Sequence, residues 1–174
     1  MKSLFSLAFL LVFSVSGVWS QQWKITEDHS IAFANKDVSG VFKQFSGSIT
    51  FDPANISAAK FDLKIQVESI NTGNGIQNKH AISSEWFNAN KFPDITFVSD
   101  KVEKTDNGYK AIGKLAIKGV TKSVTIPFTF AKKGNKATFV GKFSVDRTDF
   151  GVGVKGNDVE ENLKITATIH ATKK

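Results

Sequence analysis

Three observations predict an all-β fold for this 174-residue chain, a single antiparallel sheet of about eight strands with one short helical segment. Apolar and polar residues alternate with a period of two along nine stretches, and a helical period shows only between Gly73 and Pro93. Turn signals rich in Gly, Pro and Asn separate the stretches. The chain has no domain boundary, internal repeat or low-complexity segment, and its 41% hydrophobic and 22% charged residues are ordinary for a globular protein.

The first element is read as a leader. Lys2 precedes an uncharged apolar stretch from Leu4 to Val15, and Val18 and Ser20 fit the small-residue positions of a signal-peptidase site. Residues 1–20 are therefore expected to be an export signal, leaving a domain over 21–174 that begins at Gln21 and resides in a periplasm or outside the cell. The alternative is a retained anchor, but the stretch falls short of the ~18 apolar residues of a membrane span. With no cysteine in the chain, lipid attachment through a cysteine, a disulfide framework and a thiol nucleophile are all excluded.

The strand signals follow in order. Trp23/Ile25 and Ile31/Phe33 open the domain, then Phe45/Gly47/Ile49/Phe51 up to the Asp52-Pro53 turn. Phe61, Leu63, Ile65 and Val67 alternate with Lys60, Asp62, Lys64, Gln66 and Glu68, the clearest strand in the sequence. Within 73–93, Ile76, His80, Ile82 and Trp86 or Phe87 share a helical face, which suits a short lid over one end of the sheet. Ile95/Phe97 is followed by a hairpin signal at Asn107-Gly108, then by Tyr109/Ala111/Gly113/Leu115/Ile117 and a turn at Gly119. Val124/Ile126/Phe128/Phe130, the Gly134-Asn135 turn, Phe139/Gly141/Phe143/Val145 and Leu163/Ile165/Ala167/Ile169 complete the series. So many one-faced strands need a two-layer sandwich or a sheet closed on itself, and closure is favoured because it removes exposed edges. Pro127 cannot donate to a ladder, so a bulge or an open seam is expected in its strand.

Charge and motifs exclude several function classes. Of 23 basic residues only Arg147 is arginine, and the lysines fall singly along strand faces, unlike the clustered pattern of nucleic-acid readers. The net charge of +7 fits no more than weak, transient attraction to anionic membrane surfaces. Three histidines at 29, 80 and 170 form no metal motif. There is no nucleophile elbow, P-loop or dinucleotide fingerprint. The enzymatic alternative is a small exported hydrolase or isomerase using His29 or His80 with a carboxylate. An outer-membrane barrel would need an apolar outer band with aromatic girdles, whereas the second strand face here is rich in Lys, Asp and Glu.

The chain after residue 20 keeps thirteen phenylalanines against one tyrosine and two tryptophans, and nine of them (Phe33, Phe45, Phe51, Phe61, Phe97, Phe128, Phe130, Phe139 and Phe143) fall on the inward face. Two readings fit: a solid core, or a lipophilic cavity with room left by Gly47, Gly113 and Gly141. Arg147 likewise has two readings, contact with a lipid headgroup or quinone oxygen, or a salt bridge with Asp149, Asp28 or Glu27 at the barrel end. Asn71 and Thr72 suit a cap or turn, Gly73 a sharp bend, and His29 and His80 either a mouth or a structural hydrogen bond.

A resemblance favours the cavity. Trp23-x-Ile25, His29-Ser30-x-x-Phe33, Phe45-x-Gly47, Phe51-Asp52 and Ser69-Ile70-Asn71-Thr72-Gly73-Asn74 are followed by His80, Glu85-Trp86-Phe87-Asn88 and Phe92-Pro93-x-Ile95-x-Phe97. Gly113-x-Leu115-x-x-x-Gly119-Val120-Thr121-Lys122 and Arg147-Thr148-Asp149-Phe150-Gly151 complete the set. In order and spacing this resembles the YceI-like family over essentially the whole of 21–174. The resemblance implies a lipocalin-like barrel of about eight strands, non-enzymatic, that carries or stores a polyisoprenoid or similar amphiphilic lipid with no other cofactor. It leaves monomer and homodimer both open. The ligand contacts it implies are Phe33, Phe45, Phe51, Phe61, Trp86, Phe97, Phe128, Phe130, Phe139, Gly141, Phe143 and Arg147, with no catalytic or metal residues. Two positions depart from the family pattern: Asn78 stands where an acidic residue is usual, and Ala81 where a leucine is usual.

Overall fold

The computed structural model describes residues 20–156 and 158–174. Apart from Ser20, the leader read over residues 1–20 lies outside the described residues.

Eleven strands and one α-helix make up the described chain: β1 (Gln22–Ile25), β2 (Ser30–Ala34), β3 (Ser39–Phe42), β4 (Phe45–Thr50), β5 (Lys60–Gln66), β6 (Ile70–Asn71), α1 (Gly75–Ile82), β7 (Asp94–Thr105), β8 (Gly108–Ile117), β9 (Val120–Lys133), β10 (Lys136–Asp146) and β11 (Asn162–Lys173). Every pairing is antiparallel. Because β1 pairs with both β4 and β11, the circuit β1-β4-β5-β7-β8-β9-β10-β11 closes into an eight-stranded barrel. The three remaining strands continue barrel strands across short bends. β2 follows β1, β3 precedes β4, and β6 follows β5 after the single turn Val67–Ser69, so that β11-β2-β3-β6 extends the wall at one end. β3 and β6 gave no alternation signal, because β3 places apolar Val41 and Phe42 side by side and β6 is only two residues long.

Tight turns set the register. Lys118 and Gly119 both have positive φ, 48° and 79°, and join Ile117 directly to its partner Val120, the backbone twist a two-residue hairpin prefers. Gly134 at φ 60° does the same between the paired Lys133 and Lys136.

Pro127 opens a seam. The β9–β10 ladder runs from Lys133↔Lys136 to Phe128↔Gly141 and ends there, since the next residue of β9 has no N–H to offer. Beyond that point Val120–Pro127 pair with β8 and Lys142–Asp146 with β11.

Two of the three glycines expected to leave room for a ligand do not, and Gly47 is exposed. A Cβ on Gly113 would strike the Val98 carbonyl oxygen and lie 2.7 Å from Ser99 Cα, and one on Gly47 would strike the Asp62 carbonyl oxygen. These glycines permit close strand approach, at Gly113 beside the bulge between Ser99 and Lys101. Ser99 is itself buried and satisfied, its Oγ accepting from Phe61 N at 2.8 Å. Gly141 differs: its Cβ would meet the Ile126 γ2-methyl at 3.3 Å and the Pro127 carbonyl oxygen at an ordinary 3.7 Å, with no clash against backbone.

The barrel is plugged at the end away from α1. Phe51, fully buried, makes edge-on contacts with Tyr109, Phe128, Phe130 and Phe139 at centroid distances of 4.9, 5.6, 4.8 and 5.7 Å. Trp23 packs edge-on against Phe130 and Phe139, and its Nε1 donates to the Phe51 carbonyl at 2.8 Å. Edge-to-face geometry of this kind adds to simple area burial.

Candidate functional site: a blind apolar tunnel beneath a lid

Above the plug the barrel is hollow. An outer chamber of about 420 Å³ lies under α1, and an inner chamber of about 110 Å³ lies below it. Ile31, Ile65, Ile95, Leu115, Phe143 and Ile165 line both and form the waist between them. The floor of the inner chamber is Phe61, Phe128 and Phe139, each of which rests on Phe51. The tunnel is thus blind, with its mouth at the lid.

Phe33, Trp86, Phe143 and Arg147 line the outer chamber. Phe45, Phe61, Phe97, Phe128, Phe139, Gly141 and again Phe143 line the inner one. Phe51 and Phe130 line neither and belong to the plug. Phe42 and Phe87, edge-on to each other at 6.1 Å, line the outer chamber as well and were missed. Phe42 lies in a strand where it follows apolar Val41 directly and so breaks the alternation, and Phe87 follows a helix that ends five residues earlier.

Polar groups gather at the mouth: Asp37 from the β2–β3 turn, Thr72 from the bend after β6, and Gln77 and His80 from α1. Asn74 caps α1, its side-chain oxygen accepting from Ile76 N and Gln77 N at 2.9 and 3.2 Å. α1 buries none of its residues, and Ile76 is 81% exposed while still facing the mouth. Asn78 Oδ1 accepts from the backbone and hydroxyl of Thr72 at 2.8 and 2.9 Å. An amide oxygen therefore ties the lid to its bend.

The other half of the lid is latched. Lys118 Nζ donates to the carbonyls of Glu85 and Gly151 at 3.1 and 2.7 Å, and burial pushes its pKa down. Gly153 N also donates to Glu85 O, at 3.2 Å. These bonds join the lid to the β10–β11 loop that forms the opposite lip.

Arg147 organises that loop. Only 3% exposed, it donates to the carbonyls of Val159 at 2.6 Å, Val152 at 2.8 Å, and Val154 and Glu160 at 3.3 Å. Its guanidinium lies over the Trp86 ring at 5.0 Å. The carboxylates considered as its salt-bridge partners are engaged or placed elsewhere. Asp149 pairs with Lys122 at 2.8 Å, and Glu27 and Asp28 lie in the β1–β2 bend beside His170, near the plug. Five donors in a rigid fork suit a cage of carbonyls better than one carboxylate.

His29 sits in that bend, its Nδ1 donating to Thr26 O at 3.0 Å, and lines neither chamber. His80 is at the mouth, 5.5 Å from the Trp86 ring. Among the described residues no hydrogen bond or ion pair joins either histidine to a carboxylate.

The geometry has known counterparts. The model of the YceI-like domain matches residues 23–171. This chain belongs to the YceI-like family. Protein YceI of Salmonella arizonae is 29% identical over 179 residues, covering 95% of this chain and 93% of that protein. The crystal structure of Burkholderia cenocepacia BcnA superposes with a TM-score of 0.80 at 31% identity, covering 83% of this chain and 96% of that one. A polyisoprenoid binding domain from Saccharophagus degradans shares the fold at 12% identity, with a TM-score of 0.66 over 89% of this chain and 99% of that one. Within this YceI-like barrel, Ala81 lines the outer chamber, so the small residue there leaves volume a leucine would fill.

Proposed function

We propose that this YceI-like protein binds and carries or stores a long-chain polyisoprenoid or similar amphiphilic lipid, without catalysing a reaction. The observation that carries this is a blind tunnel whose wall is apolar and whose polar groups sit at the mouth and roof. The tail enters the barrel and the headgroup stays beside Asp37, Thr72, Gln77 and His80. The binding description of the Saccharophagus degradans domain supports the ligand class through a shared fold. Each five-carbon unit buried contributes roughly 4 kcal/mol gross at ~0.8 kcal/mol per carbon group, offset by the cost of ordering the chain. Of the site residues expected from the sequence, Phe33, Trp86 and Phe143 are proposed to contact the lipid in the outer chamber, and Phe45, Phe61, Phe97, Phe128, Phe139 and Gly141 in the inner one. Arg147 holds the roof loop against Trp86. We further propose that the chain is exported by its leader, so that it receives and releases lipid through brief contact with a membrane surface.

Native mass spectrometry of protein recovered from its source, followed by lipid extraction, tests this. One long apolar lipid per chain is the expected result. Ligand-free protein that also fails to bind polyprenols, quinones and fatty amides would overturn it.

A further inference from the structure

The two chambers and their aromatic floor form a ruler for tail length. We infer that the tunnel takes a tail of about four isoprene units, and that Gly141 and Ala167, which let the inner chamber exist, determine the last of these units. The inference rests on the lipid-binding function proposed above and specifies its ligand.

An apolar cavity of 150 Å³ takes one benzene, or about 25 Å³ per non-hydrogen atom. On that scale the outer chamber, about 420 Å³, holds roughly three isoprene units, and the inner chamber, about 110 Å³, holds roughly one more. The waist ring sets where the third unit ends. A fifth unit meets the aromatic floor, because Phe61, Phe128 and Phe139 each rest on the fully buried Phe51, and Trp23 packs behind Phe139.

The inner chamber is created by small residues. Gly141 and Ala167 face each other across the β10–β11 ladder and both line it. Gly141 lies where the β9–β10 ladder stops, and a Cβ there would meet the Ile126 γ2-methyl at 3.3 Å, a contact that needs that side chain to give by a few tenths of an ångström, and the Pro127 carbonyl at 3.7 Å. Its backbone has no positive φ, so larger residues are conformationally allowed. Filling this space shortens the ruler without touching the mouth or the latch.

The test is competition of a homologous prenol series, with two, three, four and six isoprene units, against a fluorescent prenyl probe. For the unmodified protein, affinity should rise about tenfold or more per added unit up to four, because burial outweighs chain ordering. It should then stay within about threefold from four to six units, since added units remain outside. Gly141→Val should keep the three-unit affinity and abolish the gain from three to four. Ala167→Leu should do the same and decides the matter if Gly141→Val does not fold, as judged by its thermal midpoint. Affinity that keeps climbing in equal steps from four to six units would overturn the ruler while leaving lipid binding intact. Retention of the three-to-four gain in folded Gly141→Val or Ala167→Leu would overturn the role of these residues. No binding at any length would remove the ruler together with the proposed function.

Discussion

Replacing Arg147 with methionine removes the side chain that ties the β10–β11 loop to the roof of the tunnel, while keeping most of its apolar stem. The two short bonds, to Val159 O at 2.6 Å and Val152 O at 2.8 Å, are the ones that matter most. Hydrogen bonds from a charged donor contribute about 1.5–3 kcal/mol each, and buried carbonyls left without a donor add to the loss. The expected destabilisation is therefore about 3–6 kcal/mol. For a domain of this size each kcal/mol lowers the midpoint by about 2–4 °C, so a fall of roughly 10–20 °C is expected. Arg147→Lys should recover part of it, because a lysine keeps the charge and some donors but not the planar fork. Circular-dichroism melts give the midpoint, and hydrogen exchange over residues 148–161 reports the loop, which should lose protection first. Arg147→Met protein that melts within about 2 °C of the original, with loop exchange unchanged, would refute the carbonyl cage as a support. Weaker lipid binding at an unchanged midpoint would instead make Arg147 a direct headgroup contact.

Asn74→Ala should cost about 0.5–2 kcal/mol of local helix stability, seen as faster exchange of the Ile76 and Gln77 amides with the barrel amides unaffected. Gly113→Ala should cost roughly 1–3 kcal/mol or more in urea melts, because its Cβ would run into the β7 backbone at Val98 and Ser99; Gly141→Ala should cost far less. Lys101 and then Lys110, by hydrogen bonding, hold the Glu103 carboxyl down to about 2. A depressed carboxylate pKa adds stability that is present above its ordinary value and is lost as pH falls through the folded one. A carboxyl-carbon NMR titration should accordingly place the Glu103 midpoint near 2 and move it toward 4.5 in the Lys101→Ala, Lys110→Ala double variant.

Period-two alternation showed which residues point inward but not how high along the barrel axis they lie. Phe51 and Phe128 belong to equally clear patterns, yet one is in the plug and the other on the chamber floor. Their heights follow from ladder registers such as Phe128↔Gly141, set by turns and by where Pro127 ends a pairing. That seam was legible because a missing N–H is a local fact. The purposes of Gly47 and Gly113 were not, because close approach depends on which strand lies across the ladder. Arg147 stood out as the one guanidinium, but its partners are backbone carbonyls, which every residue possesses and no sequence pattern marks. Burial of β3 and β6 depended on bends that let short segments extend neighbouring strands.

The chain from Gln21 onward has two tryptophans, one at each end of the tunnel: Trp86 in the outer chamber and Trp23 in the plug against Phe139. Fluorescence quenching by a prenol of four isoprene units, brominated at either its hydroxyl end or its tail end, measures the orientation of a bound tail directly. Trp86→Phe and Trp23→Phe variants assign the signals. Tail-end bromine should quench Trp23 more than Trp86, and hydroxyl-end bromine should do the reverse. Quenching of Trp86 by the tail-end bromine with Trp23 unaffected by either label would place the tail outside the inner chamber and contradict a tail-in blind tunnel.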